Sequence, residues 1–206
     1  MAAYTKNEGQ ISDWQALADT VSDAPSGESA EISNTTELVM AVVVTVGHVD
    51  TNDAASNYVT LHLEAKLGAA LEDWKKISST QAGGGQATTE ALNAESASGQ
   101  AEIQVAATTD WDTGLGERLL LYNVGAPTDS EVVEIDFWDD ADHYTAMDNL
   151  TNTHDAGDGD ALYDRLDEIT IQIPAWVKTA RITAHNSDDD ANYLWRVDFG
   201  EVQSIA

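Results

Sequence analysis

Alternation of apolar and polar side chains is the sequence feature that most constrains how this chain can fold. In its last third, every second position is apolar over three successive segments, 169–173, 180–184 and 193–199. A period of two places those side chains on one face of a β-strand, whereas a helix repeats every 3.6 residues. Few helical periodicities of any length compete with it. We therefore predict an all-β protein, an antiparallel β-sandwich with half-buried strand faces.

Earlier segments extend this pattern toward the start of the chain. Leu38–Val46 is apolar and β-branched on both faces, which is typical of a central buried strand. Tyr58–Ala65 alternates again. Residues 12–21 leave two interpretations open: a capping box at Ser12–Gln15 favours a short helix through Val21, and a strand over Trp14–Val21 fits the short, mixed segment nearly as well.

Composition changes sharply between Ser78 and Gln100, where three consecutive glycines and few apolar side chains indicate a loop or linker. Short strand candidates follow, at 101–106, 118–122 and 131–135. The predicted organisation is a sandwich domain formed by 1–77 and 136–206, in which 1–30 is a candidate N-terminal arm, and an inserted loop plus small β module at 78–135.

Two local predictions concern the second half of the chain. Ala161–Asp167 is interpreted as one helical turn. Asn186–Asn192 is polar and acidic and is predicted to be a hairpin loop between two strands.

Charge and composition exclude several classes of protein. The chain has 9 Lys plus Arg against 37 Asp plus Glu, a net charge of −28, and no cysteine. Such acidity repels phosphate backbones, so we expect no direct nucleic-acid binding. The lack of cysteine excludes disulfides, thiol catalysis and cysteine-ligated metals. Scattered acids and few lysines favour adaptation to concentrated salt, with an ordinary acidic extracellular protein as the alternative.

Targeting signals are weak in this sequence. Its first ten residues contain no apolar stretch, and its longest apolar run, Leu38–Val46, has nine residues against the ~20 that a membrane helix needs. We expect a soluble protein without a cleavable signal or a membrane span. Two glycosylation sequons begin at Asn34 and Asn149 and matter only if the chain meets a glycosylation system.

Candidate site residues are few, and each has a simpler structural explanation. Asp155, Asp158 and Asp160 lie in a glycine-containing segment that could hold a cation, yet their spacing departs from the EF-hand order. The run Asp188–Asp190 is interpreted as a solvated turn. Tryptophans could line a sugar-binding groove, although core packing is favoured; they are Trp74, Trp111, Trp138 and Trp195.

Catalytic constellations are not evident in the sequence. The adjacent acids Asp139 and Asp140 are uninformative in so acidic a chain. We expect the five histidines to be surface or pairing residues, since they lack close ligand spacing; they are His48, His62, His143, His154 and His185. We therefore predict no catalytic, cofactor-binding or metal-ligating residue and no cofactor.

The order of the segments resembles a family of virus proteins. The segments that carry the likeness are Trp14–Asp19, Leu38–Val46, Tyr58–Ala65 with Asp73-Trp74, the module strands near 103, 120 and 133, and the closing pair Ala180–Asn186 and Tyr193–Val197. Together they resemble jelly-roll or β-sandwich virion structural proteins of tailed phages and haloarchaeal tailed viruses, of the capsid decoration or head-associated type. The resemblance implies a jelly-roll-like sandwich and a non-enzymatic role on the particle, and it supplies no catalytic residues.

Two functional hypotheses follow. The first is a capsid decoration or turret-type protein on the virion surface, with the major capsid protein, other virion proteins and its own copies as partners, most simply as a homotrimer. The alternative is a carbohydrate-binding β-sandwich used in host adhesion.

Overall fold

The computed structural model of the chain describes residues 4–17, 25–34, 39–49, 57–67, 73–83, 87–106, 116–140, 142–187 and 193–205. Within these ranges the regular structure is fifteen β-strands and two short 3-10 turns, so the all-β prediction is confirmed. No helix in the same ranges is long and apolar enough to cross a membrane.

The chain divides into two compact units. The first unit comprises Met1–Val46, Ala54–Gly85 and Asp167–Ala206, and the second comprises Gly47–Asp53 and Gln86–Leu166. The strands centred on the first unit are β1 (Tyr4–Ala16), β2 (Gly27–Glu28), β3 (Ile32–Ser33), β4 (Val39–His48), β5 (Val59–Lys66), β6 (Trp74–Ala82), β13 (Leu166–Ile173), β14 (Thr179–Asn186) and β15 (Tyr193–Ile205). Those of the second unit are β7 (Thr89–Ala91), β8 (Glu102–Gln104), β9 (Arg118–Tyr122), β10 (Glu131–Asp140), β11 (His143–Ala146) and β12 (Ala161–Tyr163).

The first unit is a jelly roll. One sheet has the strand order β1-β15-β4-β13, and the other has the order β2-β14-β5-β6. Strand β3 pairs a different part of β14 from the part that β2 pairs. Early and late strands alternate in the first sheet, and in the second the late strand β14 lies between the early strands β2 and β5. A doubled Greek key produces this arrangement. The predicted jelly-roll-like, antiparallel β-sandwich is confirmed.

Alternation along the strands fills the space between the two sheets. Val42, Val44 and Val46 of β4 are completely buried there, as are Leu61 of β5 and Ile182 of β14. The apolar positions recognised in the sequence thus form the core of the sandwich. Burial of these side chains is the main term that stabilises it.

The second unit is a small closed barrel. Its strands follow the order β7-β12-β9-β10-β11-β8. The two end strands also meet, because Leu92 bridges Val105 and the amide of Ala106 donates to the carbonyl of Ala91 over 2.9 Å. Closure removes the free edges of the sheet.

The barrel interior is mostly apolar. The buried side chains that fill it include Ile103, Leu119, Leu121, Ile135 and Leu162. One carboxylate joins them: Glu90 is 4% exposed and accepts a hydrogen bond from the hydroxyl of Tyr144 over 3.1 Å. Hydrogen bonding offsets part of the desolvation of this polar pair.

The boundaries of the two units differ from those proposed from the sequence. Strand β6 continues from Ser78 to Ala82 and pairs β5 in the sandwich, and the second unit continues beyond residue 135 through β11 and β12. The first boundary could not be located from the sequence, because β6 is an edge strand, where polar side chains are tolerated. The second could not be located because strands of three or four residues are too short to display a period of two.

Three local assignments are settled by the structure. Residues 12–16 belong to strand β1, so the helical alternative for this segment is wrong. Ala161–Tyr163 is strand β12, paired with both β7 and β9, and not a helical turn. Strands β14 and β15 lie in different sheets and so do not form the predicted hairpin, while residues 188–192 between them lie outside the described residues.

Candidate interaction surface

The outer face of the sheet β2-β14-β5-β6 gathers much of the positive charge of the chain. Inward positions on β5 and β14 fill the core, so the alternate residues point outward. We call these outward side chains, with their neighbours on β2 and β6, the basic face; it comprises Glu28, His62, Glu64, Lys66, Trp74, Lys76, Arg181 and His185. In a chain with nine Lys plus Arg, three of them lie on this one surface.

The strand register explains this gathering. Glu64 of β5 lies opposite Arg181 of β14 on one side and opposite Lys76 of β6 on the other. Lys66 lies opposite Trp74 in the same way. Directly opposed residues on adjacent strands have neighbouring side chains, so one row carries alternating charge.

Arg181 is the centre of an ion-pair network. One of its terminal nitrogens lies 2.7 Å from Oε2 of Glu28, and the other lies 2.8 Å from Oε2 of Glu64. Its Nε also donates to Glu64 over 2.9 Å. Partial burial of Arg181 and Glu64 makes this network more rigid than an isolated surface pair.

The indole of Trp74 lies beside two cations. Lys66 Nζ and the guanidinium carbon of Arg181 are each 4.6 Å from its ring centroid, within the range of a cation–π interaction. Lys66 also pairs with Glu31. Trp74 is therefore a partly buried platform for the cations of this sheet.

Two histidines complete the basic face. The ring centroids of His62 and His185 are 4.7 Å apart. Burial lowers the pKa of both imidazoles, and the charge of Lys76 lowers each pKa further. Nδ1 of His62 is buried and has no hydrogen-bond partner among the described residues. Both rings are therefore neutral at pH 7.

A second polar cluster surrounds His154 in the barrel. This histidine is fully buried, and its Nε2 lies 3.0 Å from Oε1 of Glu131. The Glu131 carboxylate also accepts the amides of Thr151 and Asn152 over 2.9 and 3.1 Å. Burial raises the pKa of Glu131, but the hydrogen bonds from His154 and these amides outweigh it, so the net shift is downward.

Two of the three acids that were considered for cation binding, Asp155 and Asp160, bind backbone amides. Asp155 accepts the amide of Gly157 over 2.7 Å and caps a 3-10 turn. Asp160 is 1% exposed and accepts the amides of Val124 and Asp155 over 2.8 and 3.0 Å. Across the part of the chain that is described, no group of three or more His, Asp or Glu is arranged to hold a metal.

The structure gives different outcomes for the remaining tryptophan, sequon and acidic candidates. Trp195 is buried in the sandwich core and cannot line a groove. Asn34 is 1% exposed and its amide donates to the carbonyl of Pro174 over 3.5 Å, whereas Asn149 is exposed. Candidates that lie outside the described residues are Trp111 and Asp188–Asp190, together with the side chains of Trp138, Asp139 and Asp140.

Sequence reasoning missed both clusters. The basic face depends on residues far apart in the chain, such as Glu64 and Arg181, which strand pairing brings together. The His154 cluster depends on loop contacts between Glu131 and residues that follow it by 20 to 23 positions. The concentration of lysines at 66, 75 and 76 is the one sequence signal that could have found the basic face. His48 is 1% exposed and is therefore not a surface residue, while His154 is a buried pairing residue.

Comparison with known proteins gave only distant likenesses. No protein family and no curated protein matches the chain. Among solved structures, VP17, a capsid protein of bacteriophage P23-77, shares 10% identity over 100% of this chain and 99% of its own, with a TM-score of 0.16. The structure of the infectious bursal disease virus Gx strain shares 10% identity over 97% of this chain and 81% of its own, with a TM-score of 0.22. The VP16-VP17 complex, a complex of the two major capsid proteins of bacteriophage P23-77, shares 10% identity over 98% of this chain and 99% of its own, with a TM-score of 0.18. Scores this low carry no argument about function.

Proposed function

We propose that this protein is a non-enzymatic structural component of a virus particle, a capsid decoration or turret-type protein that binds the capsid shell and its own copies. The observation that carries the proposal is a jelly roll with a filled apolar core and a closed barrel inserted between β6 and β13. Jelly rolls are frequent in viral capsid and lectin domains. A filled interior leaves the surfaces of the two units to perform the function.

The partners follow from this role. The major capsid protein and other virion proteins would hold the chain on the outside of the capsid. Copies of the chain would associate with each other as a homo-oligomer, with a trimer as the simplest ring, and part of residues 1–30 would reach a neighbour. A net charge of −28 opposes direct contact with the genome.

Light scattering on the purified protein in concentrated salt tests self-association, and binding to capsids that lack the protein tests the shell role. We expect an oligomer and saturable binding to such capsids. A strict monomer that ignores those capsids and is retained on a glycan column would contradict the proposal.

One observation favours the alternative of glycan binding. Trp176 lies in the connection between β13 and β14 and is 60% exposed, as a platform for a sugar ring would be. Retention on a glycan column that is lost in Trp176→Ala but kept in Trp74→Ala would support host adhesion. Equal behaviour of the two variants would remove this argument.

A further inference from the structure

Two histidine rings pack against each other on the outer face of the sheet β2-β14-β5-β6. His62 of β5 pairs with Thr183 of β14, and Thr60 pairs with His185, so the two histidines are diagonal neighbours on adjacent strands. Their ring centroids are 4.7 Å apart, and their planes are tilted by 52°. His62 is 7% exposed and His185 is half-buried. The two rings, which we call the histidine pair, therefore form a packed contact between β5 and β14.

The buried side of the histidine pair suits a neutral ring. Nδ1 of His62 is enclosed and finds no hydrogen-bond partner in the described part of the chain. Thr183, directly opposite, is completely buried, and its hydroxyl oxygen is also unpartnered within the described ranges. A neutral imidazole can leave Nδ1 without a proton, whereas an imidazolium carries an N–H at both nitrogens. Enclosing that second N–H without an acceptor is unfavourable.

The charged groups around the histidine pair give an added proton little compensation. They lie on four strands: Glu64 and Lys66 on β5, Lys76 on β6, Arg181 on β14 and Glu28 on β2. Arg181 binds the carboxylates of both Glu28 and Glu64, and Lys66 pairs with Glu31. Glu64 raises the pKa of both rings, but burial and the charge of Lys76 outweigh it. The neutral form of both rings is therefore favoured.

We propose that the histidine pair is an acid-sensitive switch, in which the two rings pack together when both are neutral and separate when His62 takes up a proton. Once charged, Nδ1 of His62 must turn toward water or toward Thr183 to find an acceptor, and this movement ends its packing against His185. The sheet then loses a contact between β5 and β14. The switch acts within one chain, so it goes beyond the proposed function and does not depend on it.

The histidine pair should weaken the folded state only on the acid side. In the folded protein the pKa of each ring is lowered from 6.5. Its contribution to stability is therefore complete above pH 6.5, is lost as pH falls below that value, and changes no further below the folded pKa. Protonation also reduces the net charge of −28, which by itself favours the compact state. A comparison with variants of the pair separates the local effect from this general one.

Titration of the histidine rings by NMR tests the electrostatics with two lysines that are adjacent in sequence. Lys76 lies on the same side of β6 as the rings, whereas Lys75 points to the other side. We expect the pKa of both rings to lie below 6.5 in wild type, Lys76→Gln to raise both, and Lys75→Gln to leave both unchanged. His185→Gln should raise the pKa of His62, because a charge on His185 lowers it. A pKa of His62 at or above 6.5 in wild type would overturn the proposal.

Thermal unfolding at about pH 7.5 and about pH 5.5 tests the effect on stability. On this change of pH, wild type should lose about 2–4 °C in melting temperature relative to the double variant His62→Gln/His185→Gln. His143→Gln is the control, because His143 lies beside the carboxylates of Asp142 and Glu102, and it should keep the wild-type loss. If the double variant does not fold, Lys76→Gln replaces it, since Lys76 is exposed and both rings remain; this variant should show a smaller loss than wild type. Equal pH dependence in wild type and in the variant compared with it would overturn the proposal.

The contact between the rings gives a direct measure of the switch. In wild type, nuclear Overhauser effects between the ring protons of His62 and His185 should be present at about pH 7.5 and absent at about pH 5.5, while the backbone contacts between β5 and β14 remain. Ring contacts that persist after both imidazoles have taken up protons would overturn the separation of the rings.

Discussion

Single residues in this protein matter most where they are buried and polar. Glu131 is 15% exposed at its side chain and accepts hydrogen bonds from His154 and from two loop amides. Removing its charge leaves those donors without an equivalent acceptor. The loop at Thr151 and Asn152 therefore depends on this carboxylate.

Glu131→Gln should destabilise the protein by about 2 kcal/mol at pH 7, because charge-assisted hydrogen bonds are lost. Since the folded-state pKa of Glu131 is lowered, its contribution is present above the unfolded pKa of 4.5 and is lost as pH falls through the folded value. Denaturation of wild type and variant at several pH values measures the difference, which should shrink below pH 4.5. Glu134→Gln, exposed on the same strand, is the control and should change little. A difference independent of pH would contradict this account.

Glycine at position 27 is required by close packing. A Cβ atom there would lie 2.7 Å from Cδ2 of Leu17 and 2.9 Å from Nε1 of Trp195, whose indole is fixed in the core. Gly27→Ala should therefore cost about 1–3 kcal/mol in the free energy of unfolding, measured by chemical denaturation. Gly200→Ala is the matched control, because nothing lies within 4 Å of its added methyl group. Equal stability of the two variants would show that the sandwich tolerates the extra volume.

At the level of strands, long alternating segments were predictable and short or polar ones were not. Strands β14 and β15 follow directly from their period of two, and β4 from its apolar run. Strands β7, β8 and β12 have three residues each and owe their form to partners across the barrel. The basic face could not be predicted, because its central ion pair, between Arg181 and Glu64, joins residues 117 positions apart.

Deletion of the barrel should leave a folded sandwich only if the deletion begins and ends at the boundaries that the structure shows. Replacing 86–165 by a Gly/Ser linker of about ten residues keeps both sheets of the jelly roll, so we expect cooperative unfolding. Replacing 78–135 removes the end of β6 and half of the barrel strands, so we expect no cooperative transition. Thermal unfolding monitored by circular dichroism in concentrated KCl distinguishes the two deletion variants. The opposite ranking would mean that the barrel completes the sandwich core.

For the whole molecule, charge sets the conditions of stability. Repulsion within a chain of net charge −28 opposes the compact state, and the Debye length falls from about 10 Å at 0.1 M salt to about 3 Å at 1 M. We expect the melting temperature to rise by about 10 °C between roughly 0.1 and 2 M KCl. A thermal scan at several salt concentrations measures this. A flat response would refute adaptation to concentrated salt.

The position of β4 within its sheet has a consequence for synthesis of the chain. Both of its neighbours, β13 and β15, lie at least 118 residues later in the sequence. On the ribosome, the most apolar strand of the protein must wait while the complete barrel emerges, before either hydrogen-bonding partner exists. Long-range pairing of this kind slows folding and leaves strand edges open to aggregation. We therefore expect both edges of β4 to stay unpaired in the nascent chain until β13 and β15 have been synthesised.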